Sequence, residues 1–156
     1  ISYVNPPYYT KHTKSFYMRK DSNVKIEKYE DIYKYSIGVK SAVRYFEQFD
    51  LDNKIKKEAV GTVELNLTKL IEGRIDALIN TTIQLDYLII KNGYSDKFRK
   101  SKFSYQKGED FIGMSKKSKF ISIKHKIDKI VKEMIASSEV DQIVAKFFSD
   151  FKISRR

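Results

Sequence analysis

The apolar residues between positions 35 and 93 switch repeatedly between a strand-like and a helix-like spacing. Short apolar runs predict buried strands, and apolar residues three and four positions apart predict the amphipathic helices that follow them. The predicted strands are 35–39, 55–60 and 75–79, and the predicted helices are 42–49, 63–71 and one from Thr81 or Thr82 to Lys91. Three successive strand and helix units predict a small α/β domain with a parallel sheet, because such crossovers place helices on the sheet's faces.

Residues at the predicted boundaries support this division. Ser41 can cap the first helix, since a serine hydroxyl accepts a hydrogen bond from a free N–H of the first turn. Gly73 stands where a left-handed helix end favours glycine, and Asn92 with Gly93 closes the third helix.

The flanking segments have a different pattern. The first 34 residues contain Pro6 and Pro7 and an extended-looking stretch at 15–19, which predicts strands or connectors. The end of the chain predicts a strand at 111–115 and two amphipathic helices; their apolar positions are Ile127, Ile130, Val131, Met134 and Ile135, then Val140, Ile143, Val144, Phe147 and Phe148. Ser138 and Asp141 resemble a capping box between these helices. Their apolar faces require cover by another lobe, another copy or each other.

Composition narrows the class of protein. The chain has 156 residues, of which 41% are apolar, enough for one domain with a core. It has no cysteine, so neither disulfides nor thiolate metal sites are available. No run of about 18 apolar residues is present, so no membrane span is expected. The sequence starts at Ile1 without a leader pattern, so we expect that a start signal was removed or lies outside it.

The net charge of +11 raises the alternative of a nucleic-acid-binding protein. Residues 97–126 hold ten lysines or arginines and two acidic residues, the one strongly basic stretch. No nucleic-acid-binding motif accompanies it, so a solvated lysine-rich face is the preferred interpretation.

Catalytic patterns are not found in the sequence. His12 and His125 are far apart and outside any metal or nucleophile motif, and the six glycines form no phosphate-binding loop. The paired carboxylates at 50 and 52, and at 109 and 110, fall in polar turns where solvation is expected. We therefore expect no enzyme activity, no cofactor and no metal.

Several segments, taken in order, resemble the second half of the family-3 extracellular solute-binding proteins of amino-acid ABC transporters. These segments are VNPPYYTKHTKSFYMRKDS (4–22), YEDIYKYSIGV (29–39), LIEGRIDALI (70–79), the strand with SKKS (111–118) and KIDKIVKEMIASSEVDQIVAKFF (126–148). Their order carries the resemblance more than any one motif.

The resemblance implies an α/β, periplasmic-binding-protein-like lobe with a parallel βαβ sheet and flanking helices, with most of lobe one absent. Residues 1–34 would cross from lobe one, 35–118 would form lobe two, and 119–156 would return as C-terminal helices. The arginine that usually holds the ligand carboxylate would lie just before Ile1. The protein would be periplasmic or extracellular.

The resemblance also implies two ligand-binding positions. Relatives have a Gly-Ser-Thr-like turn after the first strand, where this sequence has Lys40, Ser41 and Arg44. Amino-acid binders place an aspartate for the ligand ammonium where this sequence has Thr81, flanked by Asn80 and Thr82. Both departures weaken the expectation of an α-amino-acid ligand. Asp76 is expected to serve the strand's structure, and the tyrosines and phenylalanine at 8, 9, 16 and 17 are expected to pack.

The expected function is binding of a small polar solute, amino-acid-like or a small carboxylate, for delivery to the membrane permease of an ABC transporter. No nucleic-acid partner is expected. The alternatives are a ligand-sensing domain of a receptor or cell-wall enzyme with the same fold, and a basic nucleic-acid-binding protein. A homodimer or exchanged dimer of this chain is a further expectation, because its terminal helices expose apolar faces.

Overall fold

The largest element is a five-stranded mixed sheet formed by residues 13–106. The structure is a computed structural model, and it describes residues 1–10, 13–106 and 108–153, with only the backbone of 152 and 153. The strands are β2 (Thr13–Arg19), β3 (Ser36–Lys40), β4 (Lys56–Val60), β5 (Ala77–Thr81) and β6 (Phe98–Gln106), after a short β1 (Ser2–Tyr3) outside this sheet. Their order is β4-β3-β5-β2-β6. β3 runs parallel to β4 and β5, and β2 is antiparallel to both β5 and β6. The predicted α/β fold is confirmed: the strands of the three predicted units are parallel, and β2 and β6 extend the sheet with antiparallel pairings.

Three helices connect these strands: α1 (Glu47–Leu51), α2 (Val63–Ile71) and α3 (Thr82–Lys91), with a 3-10 helix at Tyr29–Lys34. Thr62 caps α2, since its hydroxyl accepts from the N–H of Leu65 at 3.2 Å. Gly73 has a φ of +71°, the left-handed conformation that was predicted for it. The second and third helices are therefore confirmed with their ends.

The sheet has a hydrophobic cluster on each face, because successive strand residues point to opposite sides. Ile37 and Ile79 belong to the first cluster, together with residues of the 3-10 helix and of α1. Leu78 belongs to the second cluster, with the apolar faces of α2 and α3. Gly38 also faces α2, and a Cβ there would lie 2.7 Å from Asn66 Oδ1 and collide with Ile75, so the close approach of helix and strand requires glycine.

The predicted helix at 42–49 is mostly wrong, since the structure is helical only from Glu47. Ser41 does not cap it: its N–H donates to the carbonyl of Val60 at 2.8 Å, and its neighbour Ala42 has a φ of +59°. The N–H of Tyr45 donates to both carboxylate oxygens of Asp50, at 3.1 and 3.0 Å. These bonds hold an extended loop that buries Tyr45 in the first cluster, so the apolar residues here fill a loop rather than a helical face.

Strand β6 was not predicted, because its lysines made the segment look like a solvated surface. Its residues alternate between more and less exposed positions. Lys100 and Lys102 point outward and form ion pairs with Asp86 and Glu27, at 2.6 and 2.8 Å. Arg99 donates to backbone carbonyls of the 22–24 segment. Three of the ten basic residues of the stretch thus have partners within the protein from an edge strand.

The two ends of the chain form a separate compact unit, Ile1–His12 with Lys107–Arg156, whereas Thr13–Gln106 forms the other. In the first unit β1 pairs antiparallel with β7 (Gly113–Met114). Two helices follow, α4 (Lys124–Ala136) and α5 (Glu139–Ile153), as the apolar spacing predicted. The predicted boundaries at 34 and 118, between lobe two and the segments that lead to and from lobe one, stay a prediction.

The turn between α4 and α5 does not have the backbone of an N-cap. Ser138 has a φ of +57°, whereas an N-cap residue is extended, so the predicted capping box does not form in its usual geometry. The N–H of Gln142 still donates to the carbonyl of Ser138 at 3.1 Å and begins α5. A left-handed serine therefore separates the two helices.

Candidate functional site

The predicted ligand residues lie together at one edge of the sheet, where β3, β4 and β5 end. Gly38 pairs with Leu78 across the parallel strands, so Lys40 and Asn80 lie at the same level two residues later. Because β2 runs in the opposite direction, it begins at this edge, and Lys14 pairs with Thr81. We call this border the carboxyl edge; it comprises residues 13–14, 40–44, 60–62, 80–82 and 105–106.

The junction between β5 and α3 has a defined network of hydrogen bonds. The Lys14 ammonium donates to Thr81 Oγ1 at 2.6 Å, and the N–H of Thr81 donates to Asn80 Oδ1 at 2.8 Å. Asn80 is only 6% exposed, and its side-chain N–H₂ has no partner among the described residues. Sequence reasoning missed Lys14, because its position opposite Thr81 depends on strand pairing.

Thr82, another predicted ligand residue, fixes the start of α3 to β2. Its hydroxyl donates to the carbonyl of Thr13 at 2.9 Å and lies 2.7 Å from the hydroxyl of Ser15. Its carbonyl oxygen lies 3.3 Å from Tyr17 Oη. Thr82 therefore positions the junction, whereas Thr81 carries the contact with Lys14.

The loop after β3 supplies the other predicted residues. The N–H of Lys40 donates to Tyr45 Oη at 2.7 Å, which fixes the beginning of the loop, and burial raises the pKa of Tyr45. The side chains of Ser41 and Arg44 are exposed. Both can therefore contact a solute at the carboxyl edge, while the hydrogen bond to Tyr45 holds the loop backbone.

An aromatic pair borders the same edge. Tyr105 stacks on Phe46 with 4.2 Å between ring centroids and 9° between planes. Tyr105 is also the register partner of Lys14, on the strand that sequence reasoning missed. Its alternation with Phe103 along a lysine-rich segment was the available signal, since β-strands show a period of two. The pair gives the carboxyl edge a half-buried apolar border beside a cation.

Asp76 lies at the opposite edge, where β3 and β5 begin, and its expected structural role is confirmed. Its carboxylate accepts from the N–H and the hydroxyl of Ser36, at 2.8 and 2.7 Å. The N–H of Asp76 donates to the carbonyl of Ser36 at 3.0 Å. These reciprocal bonds join the beginnings of two parallel strands, at the end of the sheet opposite the carboxyl edge.

Of the four aromatic residues that were expected to pack, the two in strand β2 are buried. Phe16 and Tyr17 are buried on opposite faces of the sheet. Tyr17 Oη donates to Asp86 at 2.8 Å, and burial together with this carboxylate raises its pKa. Tyr8 and Tyr9 instead border a cavity of about 90 Å³ in the unit formed by the two ends of the chain.

Residues 1–10, 13–106 and 108–153 contain no helix with the length and hydrophobicity needed to cross a bilayer. Within that same part of the chain, histidine, aspartate and glutamate side chains do not gather in groups of three that could hold a metal ion. His125 is exposed, with Nδ1 2.9 Å from the carbonyl of Ser122, and His12 lies outside the described residues.

Neither a protein-family model nor a curated protein matches the sequence. Solved structures do match. A mutant of ArgBP from T. maritima superposes with a TM-score of 0.73 at 20% identity, over 95% of this chain and 62% of that one. The substrate-binding protein AbpA of an amino acid ABC transporter from Streptococcus pneumoniae, bound to L-arginine, gives 0.69 at 18% identity, over 97% of this chain and 62% of that one.

A third structure gives the same picture. The arginine 3rd transport system periplasmic binding protein from Legionella pneumophila matches with a TM-score of 0.63 at 18% identity, over 96% of this chain and 64% of that one. This chain thus spans about three fifths of the length of these proteins. The resemblance expected from the sequence is confirmed at the level of fold: the chain has the α/β fold found in the substrate-binding proteins of amino-acid ABC transporters.

Proposed function

We propose that this chain binds a small polar solute at the carboxyl edge, outside the cytoplasm, for delivery to the membrane permease of an ABC transporter. Binding would be non-catalytic, with Lys40, Ser41 and Arg44 on one side of the solute and Asn80 and Thr81 on the other. Thr82 would hold the second group in place. The fold shared with substrate-binding proteins for arginine and other amino acids supports this proposal. The solute that we propose is amino-acid-like or a small carboxylate.

The observation that carries the proposal is the connectivity around β3 and β5. The chain leaves β3 toward the first cluster, which contains residues of α1, and leaves β5 toward the second cluster, which contains α3. Adjacent parallel strands whose connections leave on opposite faces open a crevice at their carboxyl ends, and open α/β sheets bind ligands there. We propose that the predicted residues bind the solute from both sides of that crevice.

Transport in such proteins depends on closure over the solute. A ligand that bridges two lobes stabilises the closed state by its greater affinity for that state. We propose that this chain supplies one such surface, and that a partner lobe or a second copy of the chain supplies the other.

A binding measurement tests the proposal. The ¹⁵N-labelled chain is titrated with arginine, glutamine, acetate and succinate to millimolar concentration, and amide shifts are followed by NMR. At least one solute is expected to move the amides of 40–44 and 80–84, while those of Ser36 and Asp76 stay in place.

A pair of threonine variants tests the site itself. Thr81→Val is expected to weaken binding of the active solute severalfold, because a hydrogen bond to a ligand is lost. Thr68→Val is the control, since the hydroxyl of Thr68 is exposed and bonds only to the carbonyl of Glu64 in its own helix among the contacts described. If no solute moves the amides of the carboxyl edge, the proposed function is wrong.

A further inference from the structure

We propose that the solute is a small carboxylate anion that has no ammonium group, and that Lys14 is the residue that selects it. This inference rests on the proposed function, because it concerns the same site. It follows from three features of the carboxyl edge: the hydrogen-bonding roles already taken, the sign of the charges, and the apolar border.

Hydrogen-bond donors predominate at the end of β5. Asn80 Oδ1 already accepts from the N–H of Thr81, and Thr81 Oγ1 already accepts from the Lys14 ammonium. The buried side-chain N–H₂ of Asn80 has no partner among the described residues and is left to donate. A lysine ammonium has donors and no acceptor, and a threonine hydroxyl that accepts from it keeps its own proton to donate. The junction therefore offers three donor groups, which match a carboxylate better than an ammonium group.

The charges at the edge have one sign. Residues 13–14, 40–44, 60–62, 80–82 and 105–106 include Lys14, Lys40 and Arg44 and no aspartate or glutamate. Three cations around one crevice attract an anion and repel a ligand ammonium. The N-terminus of α3, which begins at Thr82, adds a partial positive charge of the same sign.

The apolar border favours an organic anion over inorganic phosphate. The ring of Tyr105, stacked on Phe46, lies on the strand next to Lys14 at the same register. A carboxylate with a carbon chain can place its charge at Lys14 and its methylene groups against this border. Inorganic phosphate has no carbon to bury there.

The test compares four probes at constant pH and ionic strength: succinate, inorganic phosphate, glutamine and arginine. Succinate is expected to move the amides of 80–84 at the lowest concentration. Lys14→Gln is expected to weaken succinate binding about tenfold, the effect of one charge-assisted hydrogen bond. Lys14→Arg is expected to keep most of the binding, and the amide spectrum of each variant reports its folding.

Lys20→Gln is the matched control, because Lys20 follows the other end of β2 and donates to the carbonyl of Ser95. It removes the same charge and is expected to leave succinate binding unchanged. Equal weakening by Lys20→Gln and Lys14→Gln would overturn the role of Lys14, since it would show only a long-range effect of net charge.

The remaining outcomes separate this inference from the proposed function. Glutamine or arginine binding at the carboxyl edge without succinate binding would overturn the inference and leave the proposed function intact. Phosphate binding as tightly as succinate would overturn the choice of a carboxylate. The absence of any shift at this edge with all four probes would overturn the proposed function, and the inference with it.

Discussion

Ala42 has a φ of +59°, a backbone conformation that costs an alanine about 1–2 kcal/mol relative to the usual right-handed one. Glycine adopts this conformation without that cost, although it gains entropy in the unfolded chain. We expect Ala42→Gly to stabilise the protein by about 0.5–1 kcal/mol, measured by urea denaturation. Ala59→Gly, on exposed strand β4, is the contrasting variant and is expected to destabilise; stabilisation of both would show that the left-handed backbone is not the cause.

Asp31 provides a test of pH dependence. Its carboxylate accepts from the Lys34 ammonium at 2.9 Å and from the N–H groups of Glu27 and Lys28, and these bonds lower its pKa to about 2. In the unfolded chain its pKa returns to about 3.9. The stabilisation is therefore complete above about pH 4 and is lost as the pH falls toward 2, because the unfolded state then binds the proton first.

The variant Asp31→Asn isolates this effect. It is expected to be less stable than the parent protein at pH 7, with the difference narrowing as the pH falls from about 4 to about 2, by urea denaturation at each pH. Asp21→Asn removes an exposed carboxylate and serves as control. A difference between parent and Asp31→Asn that stays constant with pH would contradict the assignment.

At the scale of elements, the sequence correctly predicted the helices whose apolar spacing and terminal residues indicate the same bounds. Helix α2 has a regular apolar stripe and a left-handed glycine after it, and both were predicted, whereas its capping threonine was not. Helix α1 is shorter than predicted, because Phe46, which has helical spacing from Val43 and Phe49, packs from the loop before the helix. Contacts that exist only in the folded loop, among them the hydrogen bonds between Tyr45 and Asp50, separate the two structures.

Long-range pairing explains what else was missed. β6 depends on β2, some 80 residues earlier, and its outer lysines hide its alternation. The candidate site shows the same limit. Thr81 and Lys40 follow predicted strands and could be placed at one edge from sequence, whereas Lys14 joins them only through antiparallel pairing with β5.

The outer faces of α4 and α5 retain exposed apolar side chains, among them Ile130 and Ile143, at 53% and 54% exposure. Large exposed apolar patches favour association. We expect the chain to self-associate, and expect Ile130→Gln with Ile143→Gln to shift it toward monomer in light scattering. Lys146→Gln, on the same exposed helix, is the control. A parent chain that is monomeric at high concentration would show this prediction to be wrong.

At the scale of the whole molecule, the net charge of +11 opposes folding, since 31 basic residues face 20 acidic ones and their mutual repulsion is greater in the compact state. Local ion pairs such as Lys100 with Asp86 act in the opposite sense, but exposed pairs contribute little. Salt at 0.15 M screens exposed charges beyond about 8 Å and therefore weakens the repulsion. We expect the free energy of unfolding in urea to rise from 20 to 200 mM sodium chloride, and equally in potassium chloride. A fall would mean that ion pairs outweigh the excess positive charge.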